Sequence, residues 1–176
     1  MIGQIAFLTK YLHEFGRICQ CETQEMDEKD RQIIRALQRD GRMSNQDLAQ
    51  TVNLSPSPCL RRLRNLEKEG VILGYAARVD ARAYGLPITA FVRIRLERHD
   101  AETVQTFERE VGRMDEVLEC HVMIGQTDYQ LRVVVASLDD YERFIRARLH
   151  RVGGIGSIDT SFAYGTVKDS MVFPMR

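Results

Sequence analysis

The sequence predicts an α+β protein: a run of three short helices followed by strands and helices in ferredoxin-like order. Three observations predict it. Between residues 27 and 69, apolar residues recur three times at helical spacing, each time behind a capping residue. From residue 88 onward, strand-like segments alternate with two helical ones in the order β-α-β, β-α-β. Charge is uneven: the chain is neutral overall, yet residues 55–78 hold five basic side chains against two acidic ones.

Residues 1–25 stand apart. Ile2, Ile5, Leu8, Leu12 and Phe15 follow a loose helical period and predict a short amphipathic extension without chemistry of its own. Lys10, His13 and Glu14 interrupt any secretory apolar core, and no stretch reaches the roughly 20 apolar residues of a membrane helix. A cytoplasmic, nucleoid-associated protein with no membrane partner is expected. The four cysteines, Cys19, Cys21, Cys59 and Cys120, are too irregular for a disulfide framework, and Cys19 and Cys21 with His13 lack the second ligand pair of a zinc site. No metal and no cofactor are expected.

Residues 26–80 form the first predicted domain. Asp27 caps a helix carrying Ile33, Ile34 and Leu37, which stops at Asp40-Gly41. Ser44, with Asp47 three residues on, opens a second helix with Leu48, Ala49 and Val52 inward. Asn53-Leu54 makes a tight turn, and Ser55-Pro56 starts a third helix that runs to Gly70. The apolar VILGYAARVD reads as a short strand or wing, and residues 81–87, with Gly85 and Pro87, as a linker. This is a winged helix-turn-helix.

Residues 88–176 form the second domain. Ile88, Ala90, Val92, Ile94 and Leu96 alternate along one strand, Ala101–Val111 is a helix, and Val117–Ile124 and Tyr129–Ala136 are strands. Leu138–Leu149 is a second helix, and a last strand region runs from Ile155 to about Lys168. Both helices on one face of the sheet leave the other face bare, and a second subunit is its expected cover.

On the third helix Cys59, Leu60, Leu63 and Leu66 form the inward stripe, with Ser57, Pro58, Arg61, Arg62, Arg64 and Asn65 on the opposite side. In a helix-turn-helix this helix enters the major groove, where arginine can grip guanine and asparagine adenine. Ser57, Pro58, Arg61, Arg62 and Asn65 are the expected contacts to double-stranded DNA, led by the two arginines.

The segment from Asp27 to Asp80, and LSPSPCLRRLRNLEKEGVI above all, resembles the DNA-binding half of the Lrp/AsnC family of regulators. VLECHVMIGQTDYQLRVVV and the segment from Leu138 to Pro174 are similar to its amino-acid-sensing half. The resemblance spans Met26 to Arg176. It implies a transcription regulator that dimerises through the second domain, assembles further into octamers or other sets of dimers, and binds a small amino-acid effector near Gly125, Gln126, Thr127 and Asp128. Gly125 would bring backbone amides close to a carboxylate and Asp128 would meet the ammonium group, with Thr160 and Ser161 adding hydrogen bonds; alternatively, Asp128 only caps a hairpin. Gln126 stands where many members carry an acid, and Gly153 where many carry proline. His121 reads as a packed or interface residue.

Two rivals follow from the same residues. One is an architectural DNA-binding protein without an effector. The other is an enzyme, disfavoured because no nucleophile is paired with a base and no acid pair or phosphate loop is present; no catalytic residue is assigned.

Overall fold

The computed structural model describes residues 26–174; the predicted N-terminal extension, with His13, Cys19 and Cys21, lies outside them. The described residues divide into two compact units, one of residues 26–78 with 167–174, the other of residues 79–166. The sequence reading ran the second domain to the chain end. The last residues instead make contacts in the helical unit: Phe173 N–H donates to Gln38 Oε1 (3.1 Å) and Arg78 pairs with Asp169 at 2.7 Å.

In the helical unit, α1 spans Glu28–Arg39, α2 Asn45–Thr51 and α3 Pro56–Lys68. Asp27 makes a full capping box with Asp30, and Ser44 Oγ accepts from Asp47 N–H, so two orphan helix starts are satisfied by side chains. The third start differs. Ser55 has cap geometry but no side-chain bond, and Pro56 needs none because it lacks an N–H. Asn53 turns the chain between α2 and α3 at φ 53, a left-handed conformation asparagine tolerates. Ile33, Leu48, Ala49, Val52, Cys59 and Leu66 close the core, with Leu63, Val71 and Ile72 packed at its margin.

No strand forms between Leu73 and Asp80, where the sequence predicted a strand or wing. Leu73 and Val79 are exposed, and this stretch pairs with no strand of the described residues. Tyr75 is held by Glu67 at 2.9 Å; burial, and then this carboxylate, push its phenol up to about 12.

In the second unit the strands are β1 (Ile88–Leu96), β2 (Val117–Val122), β3 (Tyr129–Val135) and β4 (Ile155–Phe162), and the helices are α4 (Ala101–Val111) and α5 (Leu138–Ala147). Every predicted element is present; β4 ends earlier than expected, and a 3-10 turn at Leu149–Arg151 follows α5. The sheet is antiparallel in the order β2-β3-β1-β4, the ferredoxin-like arrangement. Val92, Ile94, Leu131 and Val133 meet Phe107, Val111, Phe144 and Leu149 in one core.

The bare face departs from expectation in its chemistry. Alternation places Phe91, Arg93, Arg132, Glu119, His121, Asp159 and Ser161 there, and Phe91 is its one large exposed apolar side chain among the described residues. The polar groups are already paired: Arg132 with Glu119 at 2.6 Å and Arg93 with Asp159 at 2.9 Å. Arg132 holds the Glu119 carboxyl below its ordinary range. An apolar patch is therefore absent, and the face is a lattice of ion pairs around one phenyl ring.

Candidate nucleic-acid interface and effector site

The reader helix is fixed before it meets anything. Asn45 Nδ2 donates to the Pro56 carbonyl at 3.0 Å, fastening the start of α2 to the start of α3. Lys29 Nζ donates to the Val52 carbonyl at 2.6 Å, fastening α1 to the end of α2. With α3 held at its root and buried along Cys59 and Leu66, its outer face is rigid.

Five residues were predicted to meet DNA there. Ser57, Arg61 and Asn65 are exposed, Pro58 is half-buried, and Arg62 is elsewhere. One residue along a helix turns the side chain by about 100°, which carries Arg62 off the outer face to the flank facing α1. There its Nη1 lies 2.6 Å from Asp27 Oδ2 and 2.9 Å from Asp30 Oδ1. Asp30 and Asp27 push the guanidinium further into its charged range. Asp27, bound by Asp30 N–H and then by Arg62, sits below the ordinary carboxyl range. Arg62 does not share the outer side as the periodicity suggested; it ties α3 to the start of α1.

Arg64 and Lys68 take its place. Both are exposed, and on the helical wheel they lie with Ser57 and Arg61. Arg61, Arg64 and Lys68 form no ion pair among the described residues, so their charge is uncompensated. A stripe of unpaired cations on a rigid helix is the electrostatic footprint of a phosphate-facing surface. The wheel could have shown this: Cys59 and Leu66 set the inward direction, and Arg62 falls closer to it than Arg64.

The six predicted effector residues are not brought together. Gly125, at φ 155, gives the β2–β3 turn a conformation that favours glycine, with Gln126 exposed and Thr127 half-buried beside it. Asp128 is 5% exposed. Its Oδ2 accepts the Leu96 N–H at 2.7 Å and its Oδ1 lies 3.0 Å from His99 Nε2. The carboxylate thus joins the start of β3 to the end of β1 and shapes the turn from behind. Thr160 and Ser161 point to opposite faces of β4. Thr160 bonds Tyr141 on the helix side, while Ser161 accepts from Arg93 on the bare side at 3.2 Å. Strand alternation was the signal that separates them.

Among the described residues no group of three or more His, Cys, Asp or Glu side chains is placed to hold a metal ion, and no helix is long and apolar enough to cross a membrane. Cys59 is buried, and burial raises its thiol; burial likewise pushes Cys120 up to about 11.

Comparison with known proteins agrees with both halves. Residues 26–72 match the winged helix-turn-helix DNA-binding model and residues 89–173 the Lrp/AsnC ligand binding domain. The chain is 41% identical over 143 residues to the Bkd operon transcriptional regulator of Pseudomonas aeruginosa, covering 81% of this chain and 94% of that protein. It is 36% identical over 146 residues to the leucine-responsive regulatory protein of Escherichia coli, covering 83% and 89%. Among solved structures, a Neisseria meningitidis transcriptional regulator in complex with L-Met superposes with TM-score 0.81 at 33% identity, over 85% of this chain and 96% of that one. An AsnC family regulator from Agrobacterium tumefaciens gives TM-score 0.80 at 36% identity, over 85% and 97%. Motif, fold and relatives coincide over both units: the chain belongs to the Lrp/AsnC family of DNA-binding transcription regulators.

Proposed function

We propose that this regulator reads double-stranded DNA with the outer face of α3, Arg61 and Arg64 gripping bases or phosphates and Ser57, Pro58 and Asn65 setting register. The observation that carries this reading is the uncompensated stripe on a helix already locked by Asn45, Lys29 and Arg62. A prepositioned helix loses little conformational entropy on docking, so its contacts convert to affinity.

DNA binding answers to a small amino acid. Support comes from the ligand-binding family model over residues 89–173 and from the L-Met bound to the Neisseria meningitidis relative. In this chain the turn at Gly125, Gln126 and Thr127 offers backbone amides for the carboxylate, and Asp128 holds that turn in shape rather than facing the ligand. Thr160 and Ser161, lying on opposite faces, contribute one at most to any single site.

The working form is a dimer made by two bare sheet faces, with larger sets of dimers such as octamers built on it. Ion pairs ringing Phe91 suit a face that meets its own copy, because a two-fold axis brings each cation to an anion. The role is regulatory rather than enzymatic, in the cytoplasm on the nucleoid. The test is genome-wide mapping of bound DNA for the intact protein and for Arg61→Ala, with and without added amino acids. Discrete sites that vanish with Arg61→Ala support the reading. Unchanged occupancy in the variant contradicts it, and occupancy indifferent to every amino acid selects the effector-free architectural alternative.

A further inference from the structure

A cavity of ≈ 390 Å³ opens beside the C-terminal end of β3, against α5 and the end of the linker. Its apolar wall is Leu86, Val134, Val135 and Phe144. Charges of both signs rim it: Glu116 with Arg148, and Asp140 with Arg143. These pairs are loose. Arg148 Nη1 stands 3.4 Å from Glu116 Oε1, and Arg143 Nη2 stands 3.2 Å from Asp140 Oδ1.

Glu116 Oε2 is buried without a hydrogen-bond partner among the described residues. A carboxylate oxygen withdrawn from water with no donor is costly, and an incoming N–H group relieves it. Arg148, held only by long contacts, keeps guanidinium donors for a carboxylate.

From this arrangement we propose that the cavity is a second ligand site, one that takes an apolar α-amino acid. The ammonium group meets Glu116, the carboxylate meets Arg148, and the side chain lies on Phe144 and Val134. The volume sits at the low end of the roughly 300–1,000 Å³ of small-molecule sites, which suits a ligand of leucine size. Glu116 and Asp140 repel a ligand that is anionic only, so a zwitterion fits and a phosphate does not.

The site is separate from the Gly125 turn. That turn precedes β3 and the cavity lies at its far end, about 20 Å away at roughly 3.4 Å per strand residue. Its position also suggests its use. Leu86 closes the linker turn, its N–H donating to the Ala81 carbonyl at 2.7 Å, while Asp80 Oδ1 caps the same turn through Arg82 N–H. A ligand seated on Leu86 fixes the segment that leads to the DNA-binding unit, and coupling of this kind is reciprocal.

Calorimetry of the intact protein with L-leucine and L-methionine tests the proposal, on wild type, Glu116→Gln, Ala147→Phe (which fills the cavity) and Thr127→Trp (which crowds the turn). One site per subunit should persist in Thr127→Trp and disappear in Glu116→Gln and Ala147→Phe. 4-Methylpentanoate, which lacks the ammonium group, should bind that site at least about ten-fold more weakly. Thermal melts show whether Ala147→Phe folds; Glu116→Gln carries the test if it does not. Stoichiometry unchanged in Glu116→Gln, loss of all binding in Thr127→Trp, or no binding of either amino acid by wild type overturns the proposal.

Discussion

The outer face of α3 and the bare face of the sheet are both rich in arginine, yet they hold it in opposite ways. On α3, Arg61 and Arg64 project from a locked helix with no acid opposite them. On the sheet, Arg93 and Arg132 are neutralised by Asp159 and Glu119 at 2.9 and 2.6 Å. Unpaired cations release counterions when phosphate arrives and so convert to affinity. Paired ones have little left to offer a polyanion. The difference teaches that arginine count marks neither surface; what marks a nucleic-acid face is charge the fold leaves uncompensated. Arg62 makes the point within one helix, since it neighbours Arg61 in sequence but belongs with the paired group.

The contrast can be broken at several strengths. The largest effects come from removing either core. Ile33→Ala should cost about 2–5 kcal/mol and Phe107→Ala about 3–5 kcal/mol, by loss of buried surface and the cavity left behind. Because the two residues lie in separate clusters, denaturation followed in each variant should show one unit weakened and the other unchanged. A single transition lowered equally by both would merge the units.

Next comes the reader face. Arg61→Ala should lose about 1–3 kcal/mol of operator binding, with Arg64→Ala in the same range, measured by fluorescence anisotropy. The sheet face should respond differently. Phe91→Glu puts a carboxylate at the centre of the ion-pair lattice and should move sedimentation toward monomer while the isolated fold stays intact. Dimers that survive it at micromolar concentration would place the interface elsewhere.

The smallest effect is acid sensitivity of the α1–α3 tie. Asp27 has a carboxyl lowered in the fold, so its stabilisation is present above the ordinary value of 3.8 and is lost as pH falls through the lowered one. Melting of the helical unit between neutral pH and pH 3 should fall less in Asp27→Asn than in wild type.

Much of this was legible in the sequence, for identifiable reasons. Helix starts were readable because Asp27 and Ser44 act within three residues of themselves, and the strands because Val92, Ile94, Leu131 and Val133 alternate. Failures came where the deciding partner is distant along the chain. Arg62 looked like a DNA contact because Asp27 and Asp30 lie more than thirty residues away. Asp128 looked like a ligand group because its partners, Leu96 N–H and His99, sit on the far side of β1. VILGYAARVD looked like a strand because it is apolar, but strandhood needs a neighbour, and none pairs with it among the described residues. Thr160 and Ser161 were grouped by adjacency although period two separates adjacent residues.

Salt dependence of operator binding, measured side by side for Arg61→Ala and Arg62→Ala together with their melting temperatures, tests the central claim most directly. Arg61→Ala should lower the slope of log K against log salt by about 1 and leave melting unchanged. Arg62→Ala should keep the slope while destabilising the helical unit by about 0.5–1 kcal/mol, the scale of a partly exposed ion-pair network. The reverse pattern, a slope lost with Arg62 at unchanged melting and retained without Arg61, would contradict the account.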